Sequence, residues 1–316
     1  MVIDFAPMEG ITGVFFRRLH HVYFPGVDRY YAPFLSPTKD HIFTPREMRE
    51  ILPENNGDIL LVPQILTKVS EDFLWAAREL SAMGYDEVNL NVGCPSGTVT
   101  AKGKGAGMLA DVQHLDRFLE DVFTKAPCKI SIKTRLGMNE PEEFSSVLRV
   151  YNKYPLSELI IHPRVRQDFY RHPVRHEAFE KALQESKNPV SFNGGLVTAQ
   201  DVVACGEKYP QIKAIMLGQG LVADPFLAGK VKSGVKADKA VLKEFHDRLL
   251  QEYIVCFESG PNAMRRMKEL WIYLIHSFAD SDRHGKKIMK ANNVEDFRLA
   301  VNAVFRDLPL LDDCKM

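Results

Sequence analysis

A single cysteine, Cys94, lies where the sequence passes from a strand-like segment to a glycine-rich loop. Hydrophobic and polar residues alternate from Glu87 to Val92, which is the period-two pattern of a strand. Pro95 follows the cysteine, and the polar segment 96–107 then contains four glycines. A lone cysteine is often only a small buried hydrophobe. Here the glycines let the backbone approach a ligand closely, so we interpret Cys94 as a functional thiol beside a bound molecule.

Polar side chains and glycine turns also lie near the ends of other predicted strands. They are Pro7, Met8 and Glu9 in the first, Gln64 in the third, Asn91 in the fourth, Lys133 in the fifth, His162 and Arg164 in the sixth, Asn193, Gly194 and Gly195 in the seventh, and Gly218 and Gln219 in the eighth. In a parallel barrel the carboxyl ends of the strands meet at one rim, where the active sites of that fold lie. The last two glycine turns predict a phosphate site, and Lys133 adds a cation.

These features favour flavin mononucleotide, FMN, because its flat ring and its phosphate fit such a rim. Pyridoxal phosphate is an alternative, since it also binds barrels and would use a lysine as its Schiff base. It does not require the Cys94 loop.

The elements that must position these residues are eight short hydrophobic segments alternating with helix-like patterns. The segments are Val2–Met8, Arg29–Ala32, Ile59–Ile65, Glu87–Val92, Lys129–Thr134, Glu158–His162, Pro189–Asn193 and Lys213–Leu217. Helical periodicity over Ser70–Met83, Leu115–Phe123 and Phe144–Tyr154 separates some of them. This alternation predicts an α/β protein with a (β/α)8 TIM barrel. An open doubly wound sheet is the alternative, but its usual GxGxxG turn does not follow the first strand.

The pattern changes after Asp224 and Pro225. Lys230–Lys239 has the polar, glycine-containing composition of a linker, and the remaining sequence shows helical periodicity only. We therefore expect two domains, a catalytic barrel over residues 1–236 and an all-α helical bundle over residues 237–316.

Composition limits the class of protein. The 316 residues carry zero formal net charge, so no overall positive field indicates a nucleic-acid partner, although a local patch is compatible with this balance. No apolar run approaches the roughly 20 residues of a membrane span. The five cysteines form no CxxC pair, which fits a reducing compartment, and the N-terminus has no signal-peptide pattern. We expect a cytoplasmic, monomeric protein that binds no metal.

Several motifs together resemble the tRNA-dihydrouridine synthases, which are FMN-dependent. The motifs are APMEGITG (Ala6–Gly13), PQI (Pro63–Ile65), NLNVGCP (Asn89–Pro95), GAGML (Gly105–Leu109), IKTRLG (Ile132–Gly137), IHPR (Ile161–Arg164) with Tyr170, FNGGL (Phe192–Leu196) and IMLGQG (Ile215–Gly220). The resemblance implies that FMN, reduced by NADPH, gives hydride to C6 of a flipped-out uracil while a cysteine protonates C5. That cysteine would be Cys94, since an unperturbed thiol with a pKa of about 8.5 is protonated at neutral pH.

The resemblance also implies which residues bind each molecule. The cofactor would contact Pro7, Met8, Glu9, Gln64, Lys133, His162, Asn193, Gly194, Gly195, Gly218 and Gln219. Asn91 would orient the uracil. Three positions depart from the family pattern: Gln219 stands where an arginine usually binds the FMN phosphate, Pro163 replaces a glycine, and Gly195 replaces an acid.

For the tRNA backbone, the sequence offers a set of basic residues outside the strands. They are Lys102, Lys104, Arg164, Arg166, Arg265, Arg266 and Lys268, the last three in a helical segment with a local excess of positive charge. Two alternatives stay open at this point. One is an FMN barrel that reduces or oxidises a free pyrimidine, as dihydroorotate dehydrogenases do. The other is an RNA-binding protein without catalysis.

Overall fold

The computed structural model describes residues 1–316. It contains nine short strands, which lie at the eight predicted hydrophobic segments. The strands are β1 (Ile3–Phe5), β2 (Arg29–Tyr31), β3 (Leu61–Val62), β4 (Gln64–Ile65), β5 (Glu87–Val92), β6 (Lys129–Arg135), β7 (Glu158–His162), β8 (Val190–Asn193) and β9 (Ile215–Leu217). All neighbours pair in parallel, in the order β3-β2-β1-β9-β8-β7-β6-β5-β4.

The two ends of this sheet belong to one extended stretch of chain. Only Pro63 separates β3 from β4, because proline has no N–H for the strand ladder. β3 pairs with β2 and β4 pairs with β5, so the same stretch borders both edges and the sheet closes. The predicted (β/α)8 barrel is therefore confirmed and the open sheet is excluded. The predicted third strand, Ile59–Ile65, is shorter than expected and is broken at Pro63.

Helices cover the outside of the barrel and form the C-terminal region. Within the barrel they are α1 (Val14–Tyr23), α2 (Pro45–Ile51), α3 (Pro53–Asn56), α4 (Ser70–Ala82), α5 (Gly97–Thr100), α6 (Val112–Lys125), α7 (Phe144–Tyr151), α8 (His176–Glu185), α9 (Ala199–Lys208), α10 (Gln219–Ala223) and α11 (Leu227–Ser233). The C-terminal helices are α12 (Lys239–Phe257), α13 (Gly260–Leu274), α14 (Asp282–Lys290) and α15 (Val294–Asp307). Short 3-10 turns lie at Gly105–Ala110, Pro141–Glu143, Arg166–Asp168 and Ile275–Ser277. None of these helices is long and apolar enough to cross a membrane.

Strand alternation divides the apolar residues into two clusters. Side chains that leave the barrel join the continuous core between strands and helices, as Phe5 and Ile161 do. A second buried cluster consists of Ala6, Tyr31, Val62, Ile160 and Met216, one residue from each of five segments of the sheet. Ala6 and Met216 also line a cavity at the barrel rim, so this cluster forms the apolar floor beneath it.

The C-terminal helices pack against the first helix of the barrel and its preceding loop. The Arg18 guanidinium on α1 lies 2.8 Å from the Glu252 carboxylate on α12, and the Phe15 and Tyr253 rings meet edge to face. Three of the four helices begin at a side-chain cap that accepts free backbone N–H groups: Asp238 for α12, Ser259 for α13 and Asn293 for α15.

Two details of this region differ from the sequence prediction. The expected linker, Lys230–Lys239, is partly helical, because Leu227 and Ala228 are buried and draw the polar residues of α11 into a helix. Helix α14 was not predicted, since Ile288 is its only buried residue and the segment contains Gly285.

Candidate active site

Two adjoining cavities open at the carboxyl ends of the strands. The first, which we call the glycine-turn chamber, has an empty volume of about 580 Å³ and is lined by the turns after β8 and β9. The second, the thiol chamber, has about 830 Å³ and contains Cys94. Six residues line both: Pro7, Met8, Lys133, His162, Tyr170 and Gln219. Every residue predicted to contact the cofactor lines at least one chamber, so the structure brings the whole set together around one space.

The glycine-turn chamber has backbone donors without acceptors. The N–H groups of Gly194, Gly195, Leu196 and Gly218 make no hydrogen bond within the protein. Gly194 has φ +117°, and a Cβ there would lie 2.6 Å from the His162 ring. Glycine is therefore required at this turn, both for its backbone conformation and for the close approach of His162.

The charged side chains of this chamber, Lys133 and Arg164, are both cations, and none of its lining residues is Asp or Glu. The Lys133 ammonium has no hydrogen bond or ion pair, and burial, reinforced by Arg135, lowers its pKa to about 7. The Arg164 guanidinium donates to Nε2 of His162 at 2.9 Å. Burial and the nearby Arg135 hold the pKa of His162 well below its usual range, so the ring is neutral and accepts this bond. The chamber thus combines unpaired N–H donors with cations and has no carboxylate in its lining. This combination fits a phosphate-bearing molecule.

The thiol chamber is organised by a chain of amide hydrogen bonds. Gln64 donates to Asn89 at 2.8 Å, and Asn91 donates to Gln64 at 2.7 Å. The Asn91 oxygen accepts the backbone N–H groups of Gly93 and Cys94, at 3.1 and 2.9 Å. Asn91 therefore positions the Cys94 turn, a role that its predicted contact with uracil did not include.

Two further residues hold the same turn, and sequence reasoning gave them no such role. Arg135 is buried and donates to the carbonyls of Gly93 and Val165, both at 3.0 Å. Gly105, with φ +57°, packs so closely that a Cβ would lie 3.0 Å from the Cβ of Cys94. The sequence did offer one indication that Arg135 belongs to the site, because it stands two residues after Lys133 and therefore lies on the same face of β6.

The environment of Cys94 keeps its thiol protonated. Burial raises the pKa of this thiol, and it outweighs the opposing effect of the Ser96 backbone N–H and of the cations Arg135 and Lys133. The group is half-buried and lines the chamber, so it can reach a molecule bound there. A protonated thiol in that position is able to act as a general acid.

Comparison with known proteins identifies the family. The model of the dihydrouridine synthase (Dus) family matches residues 4–306. This chain belongs to the dihydrouridine synthase family. A relative from Synechocystis sp., named probable tRNA-dihydrouridine synthase 1, is 28% identical over 307 residues, covering 92% of this chain and 82% of the relative. The tRNA-dihydrouridine(16) synthase of Ralstonia nicotianae is 26% identical over 234 residues, covering 72% of this chain and 71% of the relative.

Solved structures with the same fold share little sequence identity with this chain. The old yellow enzyme homologue from Zymomonas mobilis has a TM-score of 0.55 at 11% identity, covering 77% of this chain and 91% of that one. Morphinone reductase has a TM-score of 0.52 at 12% identity, covering 76% and 88%. At these identities the likeness establishes the barrel fold alone.

The C-terminal helices also contribute to the cavity. Tyr273 of α13 lines the thiol chamber together with Phe34 and Tyr170, so aromatic rings from three separate segments border the space beside Cys94. Sequence reasoning missed Tyr273, because no local pattern tells which residue of an amphipathic helix will face a distant barrel.

The basic residues predicted to contact tRNA fall into two groups. The side chains of Lys102, Lys104 and Arg265 make no hydrogen bond or ion pair within the protein, and Lys102 and Arg265 are exposed. Arg166 is half-buried and donates to Thr100 at 3.2 Å.

The second group is engaged inside the protein. Arg266 donates to the Gly10 carbonyl and lies 2.8 Å from Glu269, and Lys268 donates to the Met289 carbonyl at 3.0 Å at the end of α14. Arg164 is only 8% exposed and lines the glycine-turn chamber. These three side chains connect parts of the protein to each other, and their predicted contacts with tRNA gain no support from this arrangement.

Proposed function

We propose that this protein reduces the C5–C6 double bond of specific uridines in tRNA to give dihydrouridine, with FMN as its resident cofactor and NADPH as the electron donor. One observation carries the proposal: a protonated thiol and a set of unpaired phosphate-type donors line adjoining halves of one cavity. Membership of the dihydrouridine synthase family supports the same substrate.

The two chambers have different roles, since one would bind the phosphate of the flavin and the other holds the thiol that acts on the base. When bound, the flavin would supply hydride to C6 of the uracil. Gly194, Gly195 and Gly218 would hold its phosphate end, with Asn193 and Gln219 beside them, and Lys133 and His162 would contact the part between the chambers. Pro7, Met8, Glu9 and Gln64 would border its ring.

Cys94 acts on the other carbon. Its Sγ–H donates a proton to C5, which relieves the negative charge that hydride addition leaves on the base. Asn91 and Arg135 keep the Cys94 turn in place while the proton moves, since both bond to its backbone. Phe34, Tyr170 and Tyr273 offer apolar faces to a base that has left its stack, and such stacking contributes about 1–3 kcal/mol per base.

The C-terminal helices, taken as a domain over residues 237–316, bind the tRNA body. Helix α14 presents four cations that make no ion pair within the protein: Arg283, Lys286, Lys287 and Lys290. With Arg265 on α13 and Lys102 on the Cys94 loop, they give a track for phosphates. Tyr273, on the same helix as Arg265, lines the thiol chamber. We propose that the protein works as a monomer in the cytoplasm, the compartment in which unmodified tRNA is available.

The test compares three electron acceptors. Purified flavin-loaded protein should oxidise NADPH rapidly with unmodified tRNA transcript, and only slowly with uridine or orotate. Rapid turnover with orotate and none with tRNA would instead indicate a free-pyrimidine enzyme. Tight tRNA binding without bound flavin or NADPH oxidation would indicate an RNA-binding protein.

A further inference from the structure

The glycine-turn chamber holds a buried cation with no counter-ion. Arg164 is 8% exposed, yet no carboxylate lies within ion-pair distance of its guanidinium. The nearest acid along the chain, Asp168, is occupied, since it pairs with Arg175 and accepts the Val165 N–H at 2.8 Å. A buried charge without a counter-ion is costly, so an anion bound in this chamber would stabilise Arg164.

The hydrogen bonds of this guanidinium leave part of it free. Nε donates to the His172 carbonyl and Nη1 donates to His162, which leaves Nη2 without a partner. Arg164 lines the same chamber as Gly194, Gly195 and Gly218, whose N–H groups are also unpaired. A neutral His162 adds no charge of its own to this place.

Arg164 is the only arginine among the residues that line this chamber. Gln219, which follows the Gly218 turn and lines the chamber, is neutral and brings no charge to a phosphate dianion. Lys133 is the other cation of the chamber, but its pKa of about 7 leaves it only partly charged near neutral pH. An arginine keeps its charge throughout this range.

We propose that Arg164, rather than residue 219, supplies the lasting positive charge that binds the phosphate of the flavin in this protein. The proposal rests on the proposed function, because it takes FMN as the cofactor. Nη2 donates to the phosphate, while Nη1 keeps its bond to His162 and so fixes the imidazole beside the flavin. One side chain thereby joins phosphate binding to the orientation of His162.

The experiment separates phosphate binding from ring binding. Full-length protein freed of flavin is titrated with FMN and with riboflavin, which lacks the phosphate. Wild-type protein should prefer FMN clearly. A hydrogen bond to a charged group is worth about 1.5–3 kcal/mol, so Arg164→Gln should weaken FMN binding by about 10- to 100-fold and leave riboflavin binding within about twofold.

A second-site variant and a matched control sharpen the result. Arg164→Gln combined with Gln219→Arg should regain most of the lost FMN preference, because the charge returns to the same chamber. Arg171→Gln, an exposed arginine of the same loop, should bind both flavins as the wild type does.

Specific outcomes would overturn the proposal. If FMN and riboflavin affinities fall equally in Arg164→Gln without rescue by Gln219→Arg, the arginine only supports the fold. Unchanged FMN affinity in Arg164→Gln would likewise exclude Arg164 as the residue that binds the phosphate. If Arg164→Gln does not fold, Arg164→Lys decides: retained FMN preference supports the charge, and its complete loss contradicts it. Wild-type protein that binds neither flavin would overturn the proposed function itself.

Discussion

The two halves of the cavity differ in how complete they are. In the thiol chamber, Gln64, Asn89 and Asn91 satisfy one another, and the Asn91 oxygen fixes the Cys94 turn. In the glycine-turn chamber, backbone N–H groups, the Lys133 ammonium and Nη2 of Arg164 lack acceptors. The protein's own hydrogen bonds therefore hold the Cys94 turn in place, whereas the donors that would bind a phosphate have no partner within the protein.

This difference separates chemistry from cofactor binding. Unsatisfied donors are costly in a protein interior, and a phosphate would satisfy them. A general acid must instead be held in position before the substrate arrives, because misplacement slows proton transfer. Substitutions in the two chambers should therefore affect different half-reactions.

The largest effect is expected for Cys94→Ala. Alanine has no proton to give, so reoxidation of the reduced protein by unmodified tRNA should fall by about 10²–10⁴-fold. Reduction by NADPH should keep its rate, since the thiol lies away from the glycine turns. Stopped-flow absorbance follows both steps, with Cys128→Ala, just before β6 at the opposite end of the barrel, as the control. Wild-type reoxidation in Cys94→Ala would remove the assignment.

A pair of asparagine variants tests the division directly. Asn91→Ala removes the acceptor of the Cys94 N–H, and the loss of such bonds should slow the tRNA step by about 10- to 100-fold with little change in flavin affinity. Asn193→Ala removes a 2.7 Å bond to the Met216 carbonyl in the glycine-turn chamber and should chiefly weaken flavin binding. Equal effects of both variants on both quantities would mean that the chambers act as one unit.

Lys133→Met tests the cost of an unpaired cation through pH. The folded pKa of Lys133, about 7, lies below that of an unfolded lysine, about 10.4, so the unfolded state binds more protons between these values. Stability of the flavin-free protein should therefore rise with pH from 7 towards 10, by at most about 1.4 kcal/mol per pH unit.

The methionine variant should be more stable than wild type at pH 7 and should lack this rise. Denaturant unfolding at pH 7, 8 and 9 measures both effects. Lys129→Met, at the exposed start of the same strand, should keep the wild-type dependence. A parallel pH dependence in Lys133→Met would show that another group is responsible.

The smallest effect concerns the tRNA track. Lys287→Gln removes one exposed cation of α14, so tRNA affinity should fall by about threefold and the slope of log affinity against log salt by about 0.7–0.9. Lys268→Gln should behave differently, because Lys268 bonds to carbonyls at the end of α14 and its loss lowers thermal stability. Unchanged salt dependence in Lys287→Gln would place the RNA elsewhere.

Local sequence patterns predicted most of the barrel. Glu87–Val92 and Glu158–His162 both have the predicted bounds. Glu158–His162 contains the short apolar run of a strand buried in a parallel sheet, whereas Glu87–Val92 shows the alternation of a strand. Helix α14 escaped prediction because its apolar side is narrow and Gly285 interrupts it. The break at Pro63 could have been read from the residue itself.

The site was predictable where it depends on strand ends and unpredictable where distant segments meet. Cofactor residues could be placed at one rim because the fold brings all strand ends together. Tyr273, which reaches the chamber from α13, depends on how helices pack against the barrel. The same limit applies to Arg164, whose burial beside His162 no spacing in the sequence reveals.

The most direct measurement examines the product in the tRNA. Unmodified transcript is incubated with NADPH and flavin-loaded protein, either wild type or Cys94→Ala, then digested and analysed by nucleoside mass spectrometry. The account predicts that a specific uridine gains two hydrogen atoms with the wild type and is almost unchanged with Cys94→Ala. NADPH oxidation by the wild type without any reduced uridine, or equal product from both proteins, would contradict it.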